Sequence, residues 1–179
     1  HGINDVRVIS TPGRLTDHYN PGDKTVNLSE SVYNERSVAA AAVAAHEVGH
    51  AVQHATAYQW LQLRSKLVPV VSFSGKAINI IFMLMIFGGF VVSIFPQDFV
   101  LLVMIVLQGA IAAFTLVTLP VEYDASNRAL LWLNSKGYTS TNEQAMAKDA
   151  LNAAANTYLV AALAALTQLA YYVLRFVGN

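Results

Sequence analysis

The chain contains no cysteine and little charge. Of its 179 residues, 12% are charged and 55% are hydrophobic, whereas a soluble domain carries about 25% charged residues. The lack of cysteine excludes disulfides, iron–sulfur clusters and thiol nucleophiles, so a metal site must use His, Asp or Glu. Eleven basic residues balance 11 acidic ones, which leaves no basic excess for binding a nucleic acid. The composition therefore indicates a membrane protein without a nucleic-acid partner.

The apolar residues are concentrated in three uncharged runs, at 77–95, 99–121 and 153–174. About 20 apolar residues suffice to cross a bilayer core, and the remaining polar residues are too few to surround three buried helices. The short turn at 96–98 predicts a transmembrane hairpin at 67–121 whose polar flanks lie on the same side. Lysine and arginine are frequent in these flanks and absent from the turn. This distribution predicts cytoplasmic flanks, and we expect the protein in the cell membrane.

The polar segments predict a small sheet followed by helices. A strand pattern at 5–9 precedes a strand, turn and strand over 15–28. Ser37 is placed to cap a helix running to about Arg64, and Ser140 with Glu143 forms a capping-box pattern before the third span. We predict a mainly α, integral membrane fold in a single domain, 1–179. Its segments are a β-hairpin region (1–36), a long helix (37–66), the transmembrane hairpin (67–121), a helical region (122–152) and a third transmembrane helix (153–174).

The segment His46-Glu47-Val48-Gly49-His50 has the spacing of a metal-binding helix. Residues four apart share a helical face, so His46 and His50 can bind the same ion. Glu47 lies beside them, where a carboxylate can accept a proton from a zinc-activated water that attacks a peptide carbonyl. This HExxH pattern predicts zinc-dependent hydrolysis.

A catalytic zinc needs a third protein ligand. The metzincin pattern requires a histidine six residues after His50, and position 56 is threonine. The gluzincin pattern instead takes a carboxylate from a later helix. Glu122 directly follows the second apolar run, on the side predicted for the two histidines, and is our preferred ligand. Asp124 is the main alternative, with Glu143 and Asp149 further along the chain.

The chain resembles the YugP-like membrane zinc metallopeptidases (neutral zinc metallopeptidase family 2). The resemblance covers nearly the whole chain and is most specific in three segments, at 13–33, 44–70 and 119–133. This family is similar to the HtpX-type and CAAX-prenyl membrane peptidases, whose zinc-binding Glu begins a Glu-x-x-Ala-Asp-like segment after a transmembrane hairpin. The resemblance implies a zincin-like, gluzincin core with one zinc ion held by His46, His50 and Glu122. Because Ser126 replaces the Asp that would orient a zinc histidine, that role passes to Ser126, Asp124 or another group.

Family members also begin with a further N-terminal membrane segment. This chain begins with His1 rather than methionine, and we expect it to be a fragment of a longer protein.

Four more residues are candidates for a secondary role. His54 lies one turn beyond His50 and is a possible additional ligand or substrate contact. His18 and Tyr19 lie on the predicted hairpin, where related peptidases hold extended substrate and where either side chain could stabilise an oxyanion. Arg128 is another oxyanion candidate. For each residue a purely structural role is an alternative.

The favoured function is a membrane-embedded zinc endopeptidase that cleaves membrane or membrane-proximal proteins at the cytoplasmic face. A non-proteolytic metal-containing scaffold or partner-binding protein is the alternative. A transporter is disfavoured because the three runs contain no Asp, Glu, Lys, Arg or His. The sequence leaves oligomeric state and partner subunits open.

Overall fold

The computed structural model describes residues 2–88 and 94–178. These residues contain three strands and five helices. The strands are β1 (Arg7–Thr11), β2 (His18–Asn20) and β3 (Thr25–Ser29), and the helices are α1 (Glu30–Tyr33), α2 (Val38–Ala55), α3 (Gln59–Phe87), α4 (Gln97–Ser135) and α5 (Thr141–Val177). The mainly α prediction with a small N-terminal sheet is confirmed.

Two compact units divide the chain. The first comprises His1–Gln62 and Leu119–Thr157, and the second comprises Leu63–Thr118 and Tyr158–Asn179. The sheet, α2 and the second part of α4 belong to the first unit, and the apolar parts of α3, α4 and α5 belong to the second.

The sheet has the strand order β1-β3-β2. β3 is buried along its whole length and lies between β1, which runs parallel to it, and β2, which runs antiparallel. Val26 of β3 is paired with both Val8 and Tyr19. The predicted hairpin is therefore confirmed, and β1 starts two residues later than its strand pattern. β2 is left at an edge of the sheet.

Helix α2 begins as its sequence predicts. The Ser37 hydroxyl accepts a hydrogen bond from the Ala40 backbone N–H, which satisfies one of the free donors at the helix start. The capping box at the start of α5 is also formed, with Ser140 and Glu143 bonded reciprocally.

Small residues of α2 pack closely on both sides. One cluster contains Ala42, Ala45, Ala129, Leu133, Ala147 and Leu151, and a second contains Val26, Leu28 and Ala51.

The prediction of one helix from Ser37 to about Arg64 is wrong, because α2 ends at Ala55. Ala57 has a left-handed backbone, with φ +53°. Its N–H bonds the His54 carbonyl, and the Tyr58 N–H bonds the Gln53 carbonyl. These two bonds form a Schellman cap, which normally has glycine at the left-handed position. The sequence lacks that glycine signal, so the break at 56–58 was not expected.

Within residues 2–88 and 94–178, three helices are long and apolar enough to cross a membrane, namely Gln59–Phe87, Gln97–Ser135 and Thr141–Val177. The number of candidate spans agrees with the prediction. The helix containing the first span starts well before residue 67, because the break at 56–58 begins a new helix. The predicted run 77–95 falls partly outside the described residues, at 89–93.

Candidate metal centre

The two histidines of the HExxH pattern meet on one face of α2. The Nε2 atoms of His46 and His50 are 3.1 Å apart, and the rings are nearly perpendicular. This arrangement follows from the helical repeat, which places residues four apart one above the other.

Glu122 of α4 completes the group. Its Oε2 lies 3.3 Å from His46 Nε2 and 3.5 Å from His50 Nε2, and the residue is 2% exposed. Each of the three residues offers one ligand atom, and these atoms lie within 4.8 Å of one another. The carboxylate of Asp124 bonds Gln53 and Arg128 instead. The structure thus brings Glu122, rather than Asp124, to the histidines.

The donor set and its spacing fit a zinc ion. Two donors bound tetrahedrally to zinc at about 2.0–2.1 Å lie about 3.3–3.4 Å apart, and the three distances here are 3.1, 3.3 and 3.5 Å. Two His and one Glu form a known catalytic zinc set that leaves a coordination position open.

The other ring nitrogen of each histidine has its own partner. His46 Nδ1 lies 3.1 Å from Ser126 Oγ, and His50 Nδ1 lies 2.9 Å from Gln53 Oε1. A carboxamide oxygen only accepts hydrogen bonds, which assigns the proton of His50 to Nδ1 and leaves Nε2 free for a metal. Ser126, at the position where the resemblance implied Asp, therefore does contact a histidine of the centre.

Gln53 is a residue that the sequence analysis missed. It follows His50 by three positions on α2, so helical spacing alone would have identified it as a neighbour of that ring. Glutamine is neither a usual zinc ligand nor a group that transfers protons, so the residue types typical of a zinc site do not point to it.

Glu47 is 8% exposed, next to the three candidate ligands. Burial raises the pKa of its carboxyl, while the neighbouring histidines and the Tyr19 backbone N–H act in the opposite direction. Burial disfavours the charged form, so the carboxylate is a better proton acceptor than an exposed glutamate. Glu47 therefore has the placement and chemistry of a general base.

The hairpin residues lie beside Glu47, and their side chains have partners outside the ligand group. The Tyr19 hydroxyl is 2.8 Å from His54 Nδ1. His18 Nδ1 is 2.7 Å from the Thr16 carbonyl oxygen. The described contacts place neither His18 nor His54 within the three-residue ligand group.

Arg128 pairs within its own helix. Its Nε donates to Asp124 Oδ2 at 2.6 Å, and its guanidinium lies 5.8 Å from the centre of the Tyr58 ring. Among the described contacts, Arg128 thus supports Asp124 and does not reach the candidate ligands.

Comparisons with known proteins agree with this geometry. Residues 1–177 match the family described as "Putative neutral zinc metallopeptidase". The chain is 41% identical to "Putative membrane protease YugP" of Bacillus subtilis (strain 168), over 100% of this chain and 76% of that protein. No solved structure matches the chain. The chain therefore belongs to the family described as "Putative neutral zinc metallopeptidase".

Proposed function

We propose that this protein is a membrane-embedded, zinc-dependent endopeptidase with a zincin-like core of the gluzincin type. The observation that carries the proposal is the convergence of His46, His50 and Glu122 beside the buried Glu47. The family description and the name of the Bacillus relative support the same reaction class.

His46 and His50 supply neutral Nε2 donors, and Glu122 supplies a carboxylate oxygen. A zinc ion bound there would polarise the scissile carbonyl and lower the pKa of a water toward 7. Glu47 takes the proton from the attacking water and then gives it to the nitrogen of the leaving amine. One carboxylate thus serves as base and then as acid in the same hydrolysis.

The substrates are membrane proteins or membrane-proximal segments. In support, Glu122 directly follows the apolar run 99–121 within α4, and three helices are candidates to span a bilayer. The outer edge of β2, next to Glu47, is suited to pair with an extended segment of substrate. The distribution of lysine and arginine supports placement of the site at the cytoplasmic face of the cell membrane.

The test measures zinc content and proteolysis of the purified chain in detergent. Fluorescein-labelled casein and an unfolded membrane protein serve as substrates, with Glu47→Gln and Glu122→Ala as variants. We expect Glu47→Gln to keep stoichiometric zinc and lose cleavage, and Glu122→Ala to lose both. Chelation should abolish cleavage in the unmodified chain, and added zinc should restore it.

Two results would overturn this mechanism. Cleavage that persists in Glu47→Gln would show that Glu47 is not the general base. Full zinc content in Glu122→Ala would show that another residue is the third ligand. Zinc binding without cleavage of either substrate would instead favour the non-proteolytic scaffold.

A further inference from the structure

Gln53 is a fully buried polar side chain between α2 and α4. It is 0% exposed, and burial of an amide is unfavourable unless its polar atoms are hydrogen-bonded. Both ends of this amide are bonded, and the partners are His50 of the candidate metal centre and two residues of α4 on either side of Glu122, Val121 and Asp124.

The side-chain carbonyl of Gln53 influences which ring nitrogen of His50 carries the proton. Oε1 lies 2.9 Å from Nδ1 of His50, and this oxygen can only accept a hydrogen bond. A neutral imidazole carries its proton on one nitrogen, so the bond favours the form in which Nε2 of His50 is unprotonated. That is the nitrogen facing Glu122.

The amino end of Gln53 reaches α4. Nε2 donates to the Val121 carbonyl oxygen at 2.8 Å and to Asp124 Oδ2 at 2.8 Å. Val121 directly precedes Glu122 in the chain. One side chain thus connects a histidine of α2 to the backbone that carries the carboxylate ligand.

Asp124 is held in turn by Arg128, which lies over the Tyr58 ring. The Asp124 carboxylate is therefore a fixed acceptor for the Gln53 amide, with its charge balanced by a cation. The hydrogen-bond chain runs from His50 through Gln53 and Asp124 to Arg128, all within the first unit.

We propose that Gln53 is a positioning residue of the metal centre, which sets the ring form of His50 and holds α4 so that Glu122 reaches the same ion. The inference rests on the proposed function in so far as the ion is zinc. Of the common side chains of this size, glutamine can accept from His50 and donate to α4 at the same time. Methionine has similar length and makes neither bond.

The test compares metal binding by Gln53→Met, Gln53→Glu and the unmodified chain, with Gln108→Met as the matched control. Gln108 is also a buried glutamine, and its amide donates to the Ala165 carbonyl oxygen within the second unit. Zinc affinity is measured by competition with a chromophoric chelator, and the site is then examined by visible absorption after substitution with cobalt(II). Thermal unfolding without metal reports the structural cost of each change.

We expect Gln53→Met to lower zinc affinity about 10- to 100-fold, the usual effect of removing a partner of a metal-binding histidine. Gln108→Met should bind zinc like the unmodified chain. Gln53→Glu keeps an acceptor for His50 but cannot donate to the Val121 carbonyl oxygen or to Asp124. Its zinc affinity should therefore fall below that of the unmodified chain, and its cobalt spectrum should shift.

Equal zinc affinity in Gln53→Met and the unmodified chain would overturn this inference alone and leave the proposed function intact. If Gln53→Met does not fold, an unshifted cobalt spectrum in Gln53→Glu would overturn it. Failure of the unmodified chain to bind zinc or cobalt would overturn the proposed function and this inference together.

Discussion

Gly49 packs directly against the backbone of Ala125. A β-carbon added to Gly49 would lie 2.7 Å from the Ala125 carbonyl oxygen and 3.2 Å from its α-carbon. Backbone atoms of a helix cannot move aside as a flexible side chain can. The absence of a side chain at Gly49 therefore lets α2 and α4 approach closely enough for Glu122 to reach both rings.

We expect Gly49→Ala to separate the two helices and disrupt the metal centre. Overpacking of this kind costs about 1–3 kcal/mol, and displacement of Glu122 should lower zinc content and cleavage together. Gly75→Ala is the matched control, because Gly75 lies within α3 and a β-carbon there meets nothing within 4 Å. Calorimetry and zinc analysis of both variants provide the measurement. Full zinc content in Gly49→Ala would show that the contact is not needed.

Ser126→Ala should weaken zinc binding while leaving the fold largely intact. The change removes the hydroxyl that lies 3.1 Å from His46 Nδ1, and loss of such a partner typically reduces metal affinity about 10- to 100-fold. Ser126→Asp supplies a carboxylate acceptor at the same position and should retain zinc. Ser135→Ala, which removes an exposed hydroxyl at the end of α4, serves as the control. Unchanged affinity in Ser126→Ala, measured by chelator competition, would exclude this role.

Ala57→Gly should stabilise the protein without changing zinc content. A left-handed backbone costs a residue with a β-carbon roughly 1–2 kcal/mol, and Ala57 has φ +53° at the end of α2. Part of the stabilisation gained by removing the β-carbon is offset by the greater flexibility of glycine in the unfolded chain. Ala57→Val should be destabilising, because a branched side chain is less compatible with this backbone. Thermal unfolding of the two variants should give shifts of opposite sign, and a lower midpoint for Ala57→Gly would contradict the expectation.

The proposed membrane orientation can be tested by labelling, because the chain has no cysteine of its own. We expect Gln97→Cys, at the start of α4 and between the first two apolar runs, to react with a membrane-impermeant maleimide in right-side-out vesicles. Asn134→Cys, near the end of α4, should react after the vesicles are permeabilised. Both residues are exposed, so accessibility to the reagent depends on the side of the membrane. The reverse pattern would place the candidate metal centre on the outer face.

Features with a local physical cause were predictable from the sequence. The four-residue spacing of His46 and His50 places both rings on one face of any helix, whatever surrounds it. The cap at Ser37, the hairpin and the three apolar runs likewise depend on neighbouring residues. Local patterns did not identify the end of α2 at Ala55, because the left-handed residue of its cap, Ala57, is not glycine.

The sequence by itself determined the HExxH pair, the lack of thiol ligands and the number of candidate membrane helices. Tertiary structure decided that Glu122, and not Asp124, meets the histidines. Residues two apart on a helix point about 200° apart, so the choice depends on which side of α4 faces α2. The contacts of Gly49, Gln53 and Ser126 set that face. These contacts between α2 and α4 join residues that are distant in the chain, so no local sequence pattern predicts them.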